Sequence, residues 1–518
     1  MRTLCLLALL VVSAAPAQAQ RPGVNPPPDR ITTSERFDAG GIRAYRGSHE
    51  AVYAYIDRHT ADHVAQLQRW VRQPSISAEN RGVQEMAALL RDDLRLLGFQ
   101  EAEVVPTSGH PGVWGFYDAG AAQTLVVYMM YDVQPIEPAD WQVDPFAGEL
   151  VDHAFGRALM ARGAVNQKGP QRAFLNAVES ILAVHRTLPV NLMVLAEGEE
   201  ELGSPHYPEL IARFRERLQT ADGVLFPSAS QSPRGEAGFS LGVKGIVYFE
   251  LESTGGAWGG PKDAEVHGSN KARIGSPVWR LAQALASLTT PDGDTIVVPG
   301  YYDAIRPPNA EEQRLFNAGL ESAVRNDSVT RQVLAVDRWA GGLDARGAYF
   351  NMLFNTTLNI DGIWGGYTGE GVKTILPHRA TAKLDSRLVP NQTPDDALRL
   401  IRAHLDAQGF GDVVIRKLAG YPPAQVSVDA PLVRAAIGVF RKHGRPPNIG
   451  ARTAGSAPYY VFTDLGLPLV SAGLGHGSGA HAPNEYLVVE PKAETGIAGL
   501  AEMEKFYVDL LYALAEAR

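Results

Sequence analysis

Four glutamates fall within five residues at Glu197, Glu199, Glu200 and Glu201, in the run AEGEEELGS. The run follows the apolar stretch LMVLA (Leu192–Ala196) and ends in Gly-Ser. Carboxylates crowded at the end of a strand raise one another's pKa unless a cation or a proton separates them. Two chemistries suit such a run. One is a solvated acidic loop, the usual state of a block of like charge. The other is a general base beside a metal ligand. Asp132 bears on the choice, because it follows a second apolar run, LVVYMM (125–130). So does His481, in GAHAPNEY (479–486).

The elements that must position these residues read as α/β. Helical periodicity runs from near Glu50 through Trp70, over Val83–Leu97, and over Lys168–His185. Between these lie continuous apolar strands at 125–130, 192–196 and 223–226. Buried strands alternating with helices predict a mostly parallel sheet. Sites in such sheets lie beyond the C-terminal strand ends, where Asp132 and the glutamates both fall. The pattern changes near Gly242. Ile246–Glu252 alternates like a half-exposed strand, then come a helix (276–288), a long loop region and a strand (381–388). This reads as an inserted α+β domain. From about Pro423 the α/β pattern resumes, with helix 431–442, strand 469–472 and a closing helix from Glu494. The expected division is a first catalytic part at 49–243, an inserted lid at 244–422 and a second catalytic part at 423–518. Residues 20–48, rich in Pro, Arg and Gly, read as an exposed strap outside the core.

Two motifs are set aside. Gly238-Phe-Ser-Leu-Gly242 matches the G-x-S-x-G serine elbow, but a strand pattern follows where that elbow needs a helix. GGAWGG (255–260) lacks the Lys and Ser/Thr of a phosphate loop.

At 518 residues the chain is long enough for two or more domains. A net charge of -9 argues against nucleic-acid binding, which needs a basic face. Residues 1–19 read as a secretory leader: Arg2, the apolar stretch Leu4–Val12, then Ala17-Gln-Ala19 as the cleavage site. The expected product is secreted or periplasmic and spans no membrane after cleavage. The single cysteine, Cys5, lies in that leader, so the remainder has no disulfide and no cysteine metal site.

Seven segments occur in a telling order: VVYMMYDVQP (126–135), ARGAVNQKGP (161–170), AEGEEELGS (196–204), DAEVHGS (263–269), KTILPHRATAKLDSRLVPNQTP (373–394), AGSAP (454–458) and GAHAPNEY (479–486). Together they resemble the M20 family of zinc metallopeptidases, which includes carnosinase-like dipeptidases, glutamate carboxypeptidases and aminoacylases. The resemblance implies an α/β catalytic domain holding two zinc ions, with an inserted lid that usually dimerises. It implies Glu200 as general base, Glu201 and His481 as metal ligands, and Arg387 as the grip on a substrate carboxylate. It implies His267 as support for the tetrahedral intermediate, often across a homodimer. Asp132 and Ser456 join the catalytic and substrate-binding residues on the same ground. The substrate implied is a dipeptide or another small molecule bearing a carboxylate.

The sequence departs from that pattern at three ligand positions. Met130 stands where the family has a histidine, two residues before Asp132. Asn166 stands at the bridging aspartate, and Ser228 at a downstream acidic ligand. A thioether is a soft, weak ligand for zinc. Asn166 offers a carbonyl oxygen without charge, too little to hold two cations about 4 Å apart. The expectation is therefore at most one divalent ion, zinc or another, on Glu201 and His481 with Asn166 assisting, or none. Without a metal the crowded glutamates should show a raised pKa. His476 and His206, and less so His153, are the imidazoles by which a lost ligand could be replaced. Two readings remain: a hydrolase with Glu200 as base, and a non-catalytic member that binds a small peptide or amino-acid derivative.

Overall fold

A computed structural model describes residues 26–517. The expected leader, with Cys5, lies outside them. The central sheet has six strands in the order Glu101–Val105, Gly112–Tyr117, Asn191–Glu197, Thr124–Met130, Gly223–Pro227, Leu469–Ala472. The last four run parallel, and the first two form an antiparallel edge. This is the expected mostly parallel α/β sheet. Its central strands carry no polar alternation because both faces are covered. Every residue of Thr124–Met130 is buried. The register sets Met130 beside Glu197, so the two central strands end together and deliver Asp132 and the glutamates to one place. Helix Lys168–His185 packs between Glu50–Arg72 and Leu500–Glu516 and is buried along most of its length.

A second sheet forms the lid. Its strands run in the order Thr357–Trp364, Arg379–Leu388, Gly242–Thr254, Val414–Tyr421, all antiparallel. Val247, Phe249 and Leu251 point to one face, where helices Pro277–Ala286 and Pro394–Ala407 cover them with Leu281, Leu285, Ile401 and Leu405. Tyr248, Glu250 and Glu252 alternate to the other face. The long strand belongs to both bodies. Its first residues pair with Ala424–Gln425 and with Thr453 and Ser456 of the catalytic body. From Gly245 onward its partners are lid strands. Strand Thr357–Trp364 is an exposed edge carrying Ile360, Ile363 and Trp364 outward.

Long-range packing places two stretches that local pattern could not. Helices Ala310–Arg325 and Ala345–Phe354, inside the insertion, return to the catalytic core through Leu315, Phe316, Phe350 and Phe354. The strap differs from its expected exclusion from the core. Ile42 is buried in that core and Phe37 packs against it. Thr32 donates its N–H to Gln313 (2.8 Å), Asn317 donates to the Thr33 carbonyl (2.7 Å), and Asp29 pairs with Arg346 (2.8 Å). These bonds tie the strap to the returning helices. Gly238–Ser240 is a short strand paired with Asn448–Gly450 and leads into another strand, so no serine elbow forms. Among the described residues no helix is long and apolar enough to cross a membrane.

Candidate active site

The glutamate run leaves its strand through a single 3-10 turn, Glu200–Leu202. Gly203 and Ser204 close it with φ of 85° and 55°. Asp132 holds the turn from below. Fully buried, it accepts hydrogen bonds from Ser77 Oγ (2.8 Å) and from the backbone N–H groups of Glu200 and Glu201 (3.1 Å each). These partners are dipoles and none is a cation. Burial, then the Glu201 charge, pushes the Asp132 carboxyl up to about 7.

Each glutamate has a different set of partners. Glu197 accepts from Tyr128 Oη (2.7 Å) and Ser204 Oγ (2.9 Å), while its Oε2 is buried with no partner among the described residues. Burial raises its pKa well above the carboxylate range. Glu199 pairs with His206 Nδ1 at 2.8 Å. Glu201 accepts from Asn166 Nδ2 (2.8 Å) on one oxygen, and on the other from Gln134 Nε2 (2.8 Å) and His481 Nε2 (3.1 Å). The hydrogen bond to Glu201 raises the His481 pKa and favours the imidazolium. The Glu200 carboxylate bonds to no described residue. Burial first, then Glu201, Asp132 and Glu197, raise it well above the usual range. Lys168 is near in charge but not in contact. It spends its ammonium on the carbonyls of Trp70 (3.3 Å) and Gln73 (2.6 Å), and burial brings it down to about 7.

The base of the lid supplies the opposite wall. Arg387 and Tyr421 flank Ile246 in register, so they share a face of the sheet, and Tyr248 lies two residues along it. The glutamate turn approaches this face: a methyl on Gly203 would stand 3.5 Å from the Ala419 Cβ. Burial raises the phenol pKa of both Tyr248 and Tyr421, and both also feel Glu200 and Arg387. Arg387 donates through Nη1 to Ser456 Oγ (3.0 Å) and through Nε to Asp385 (3.2 Å). Its Nη2 bonds to no described residue. Burial and Asp385 together push Asp361 up to about 6.

The structure thus gathers Asp132, Glu200, Glu201, Asn166 and His481, and joins Arg387 to Ser456. Other candidates lie elsewhere or are engaged. His267 is exposed on a two-stranded ribbon, bonded to Ser269 (2.8 Å) and not to the glutamates. Met130 is buried in an apolar cluster with Tyr128, Tyr207 and Phe226. Ser228 follows the strand Gly223–Pro227, and its carbonyl accepts from Tyr507 Oη (3.3 Å). His476 lies 2.7 Å from the Gln231 carbonyl and 3.1 Å from Tyr486 Oη, and His153 packs against Tyr486. None of His476, His206 and His153 turns toward Glu201.

These donors do not fit a pair of metal ions. Among the described residues no group of three or more His, Cys, Asp or Glu is arranged to hold an ion. Asn166 differs from its expected role as a carbonyl ligand. It turns its amide nitrogen to Glu201, and its oxygen accepts from Gln167 (3.2 Å). The reason is electrostatic: a carboxylate draws an N–H toward it and repels a carbonyl oxygen.

Two supports escaped the sequence reading. Gln134 contributes one of the bonds to Glu201, and a lone amide carries no pattern. Glu485 is fully buried and accepts from the backbone N–H groups of Gly163 (3.0 Å), Val165 (2.9 Å) and Asn166 (2.9 Å), and from Arg162 Nη1 (2.8 Å). It fixes the loop that presents Asn166. The clue was its place in GAHAPNEY beside His481.

Residues 127–504 match the family described as Peptidase family M20/M25/M40. A Beta-Ala-His dipeptidase of Rattus norvegicus is 27% identical over 422 residues, covering 76% of this chain and 81% of the relative. The Homo sapiens Beta-Ala-His dipeptidase is 30% identical over 380 residues, covering 69% of this chain and 71% of the relative. Among solved structures, an M20 family metallo-carboxypeptidase, Sso-CP2 from Sulfolobus solfataricus, superposes with a TM-score of 0.77 at 32% identity. That match covers 88% of this chain and 99% of the other. With the two-body fold, the glutamate turn and the lid arginine already in place, this chain belongs to the peptidase family M20/M25/M40.

Proposed function

We propose that this member of the family is an exported hydrolase of an amide bond, peptide or N-acyl, in a small carboxylate-bearing substrate. The observation that carries the reading is the Glu200 carboxylate, bonded to no described residue and near enough to the lid wall for Tyr248 and Tyr421 to feel both it and Arg387. Glu200 in its ionised form takes the proton of the attacking water and returns it to the leaving amine. Arg387 and Ser456 hold the substrate carboxylate. Tyr248 and Tyr421, partly to largely buried phenols that feel both groups, limit water on the lid side. Burial raises the Glu200 pKa, so its carboxylate, once ionised, is a stronger base than a solvated one. The metal complement is reduced to one ion or none, and no step above depends on one.

The exposed edge strand Thr357–Trp364 suits pairing with a second copy, and a homodimer would offer the partner's lid ribbon to this site. Cleavage after Ala19 would release the protein into the periplasm or medium. A specific observation favours a second reading, binding without turnover. The oxygens of Glu201 already accept three N–H donors, an arrangement that needs no ion.

The test is turnover of a panel of dipeptides and N-acyl amino acids by wild type and Glu200→Gln. Loss of about 100-fold or more in the variant supports Glu200 as base. Unchanged turnover in the variant removes it, and binding without turnover by wild type favours the second reading. Two zinc ions per chain by elemental analysis would overturn the reduced metal count.

A further inference from the structure

We infer that a second site, apart from the glutamate turn, binds an anionic amphiphile: a molecule with an apolar body and one carboxylate or sulfate head. The site is a cavity of about 1440 Å³. It lies between the strap, the helices that return from the insertion, and the paired strands Gly238–Ser240 and Asn448–Gly450. None of Asp132, Glu200, Glu201, His481 and Arg387 lines it. It exceeds the ~300–1,000 Å³ usual for a small-ligand site. It reaches the surface at Leu334 and Met352, which are 58% and 46% exposed.

The residue types make the gap. Helix Ala310–Arg325 lines it with Ala318, Gly319, Ser322 and Ala323, one face at helical spacing. Helix Ala345–Phe354 lines it with Ala345 and Ala348, again one face. Small residues on both helices leave the space between them unfilled. The larger lining residues are apolar or aromatic: Phe37 from the strap, Phe239 and Ile449 from the strand pair, Tyr349 and Met352 from the second helix, and Trp339. Helix Asp327–Val333 and the turn after it extend this character outward, leaving Val329, Val333, Leu334 and Val336 exposed. Protein interiors close gaps far smaller than this one. An apolar cavity left open to the surface is the usual form of a ligand site.

Charge assigns the head. The charged residues that line the cavity are Arg36, Asp38, Asp327 and Arg441. Arg36 pairs with Glu321 (3.2 Å). Asp327 accepts from Arg331 Nε (3.0 Å) and from Trp339 Nε1 (2.7 Å). Asp38 is exposed and accepts from the Gly40 N–H (2.7 Å). Arg441, at the end of helix Pro431–Lys442, is different. It is half-buried, and its guanidinium meets no carboxylate, carbonyl or ring among the described residues. A guanidinium in that position favours an anion from outside, which its planar fork holds through two N–H groups. The apolar body of such a molecule then covers the aromatic lining.

Isothermal titration of the full chain tests the inference. The probes are octanoate, decanoate, dodecanoate and octyl sulfate, each below its micelle concentration, with decanol and decyltrimethylammonium as controls. The anions should bind, and each added pair of methylenes should tighten binding severalfold. Decanoate should bind about tenfold more tightly than decanol. Arg441→Gln should remove that preference for the anion. Ala323→Trp, which fills the space between the two helices, should weaken every anion. Thermal melts check that both variants are folded. Absence of binding by all the anions overturns the inference, as does a cation that binds as well as decanoate. Unchanged affinity in Arg441→Gln removes the assigned head, and unchanged affinity in Ala323→Trp removes the cavity. Sedimentation of the same samples reads the other occupant: anions that act only by dissociating a dimer give the cavity to a second copy and overturn the inference.

Discussion

Two buried aspartates in this molecule have opposite chemistry. Asp509, on the closing helix, is fully buried and meets Lys442 Nζ (2.6 Å), His443 Nε2 (2.8 Å) and Tyr53 Oη (2.5 Å). Burial pushes its pKa up, but the hydrogen bonds from His443, Lys442 and Tyr53 outweigh burial and hold it below the usual value. Asp132 is equally buried and meets a hydroxyl and two backbone N–H groups. Burial wins there, and its carboxyl rises to about 7. The difference lies in whether the fold supplies a cation. At the junction of helices it does, and the carboxylate is cement. At the strand ends it does not, and the negative charge is kept at a cost in stability. Shifted, buried carboxyls of this kind cluster at functional sites, which supports the glutamate turn as the candidate.

The comparison can be broken or sharpened by experiment. The largest effect should be a pH dependence assigned to Asp132. Its folded pKa is raised from 3.8 to about 7, so the folded state binds the extra proton between those values. Stability should therefore fall as pH rises through that window, by roughly 4 kcal/mol from this group at about 1.4 kcal/mol per unit. Asp132→Asn should make urea-unfolding stability fall less steeply between pH 4 and pH 7, and an unchanged slope would show that Asp132 does not carry the proton.

Next in size, Asp509→Asn should lose about 3 kcal/mol at pH 7, because Lys442 and His443 are left without their anion. The depressed Asp509 pKa adds a sign opposite to that of Asp132. Its stabilisation is present above the unfolded pKa near 4 and disappears as pH falls through the lower folded value.

Asn166→Asp should then cost about 1–2 kcal/mol in chelator, since it replaces an amide donor on Glu201 by a second acceptor. Zinc should restore part of that loss in the variant and shift wild type less, read as melting shifts. The smallest effect should be Tyr53→Phe, about 1 kcal/mol, because Asp509 keeps its two cationic partners. If Tyr53→Phe costs as much as Asp509→Asn, the charges contribute less than the comparison holds.

Local pattern made much of the fold legible. Helices Lys168–His185 and Pro431–Lys442 and strand Leu469–Ala472 have the bounds that their periodicity predicts. The placement of Asp132 and the glutamates beyond adjoining strand ends followed from the same alternation. The closing helix begins at Leu500 rather than Glu494, because a 3-10 turn and Gly496, at φ 66°, come first. What stayed hidden depends on contacts far apart in the chain. Ile42 in the core, the return of Phe316 and Phe354 to the catalytic body, and Gln134 on Glu201 have no local signature. Asn166 was legible as a departure from the family pattern, but not the direction its amide would turn.

The long strand Gly242–Thr254 carries a mechanical consequence. Its 13 residues run without a break from the catalytic body into the lid. The change of partners comes at Gly245, where a Cβ would meet Pro423 N, Pro422 C and Tyr421 O at 2.6–2.7 Å. A strand bonded on both sides is a stiff beam, and a lid mounted on it does not swing freely at that root. The gap between Glu200 and Arg387 is then set by strand register, as the opening of a caliper is set by its bar. On the proposed reading, such a site measures the length of what enters it before any closing motion takes part.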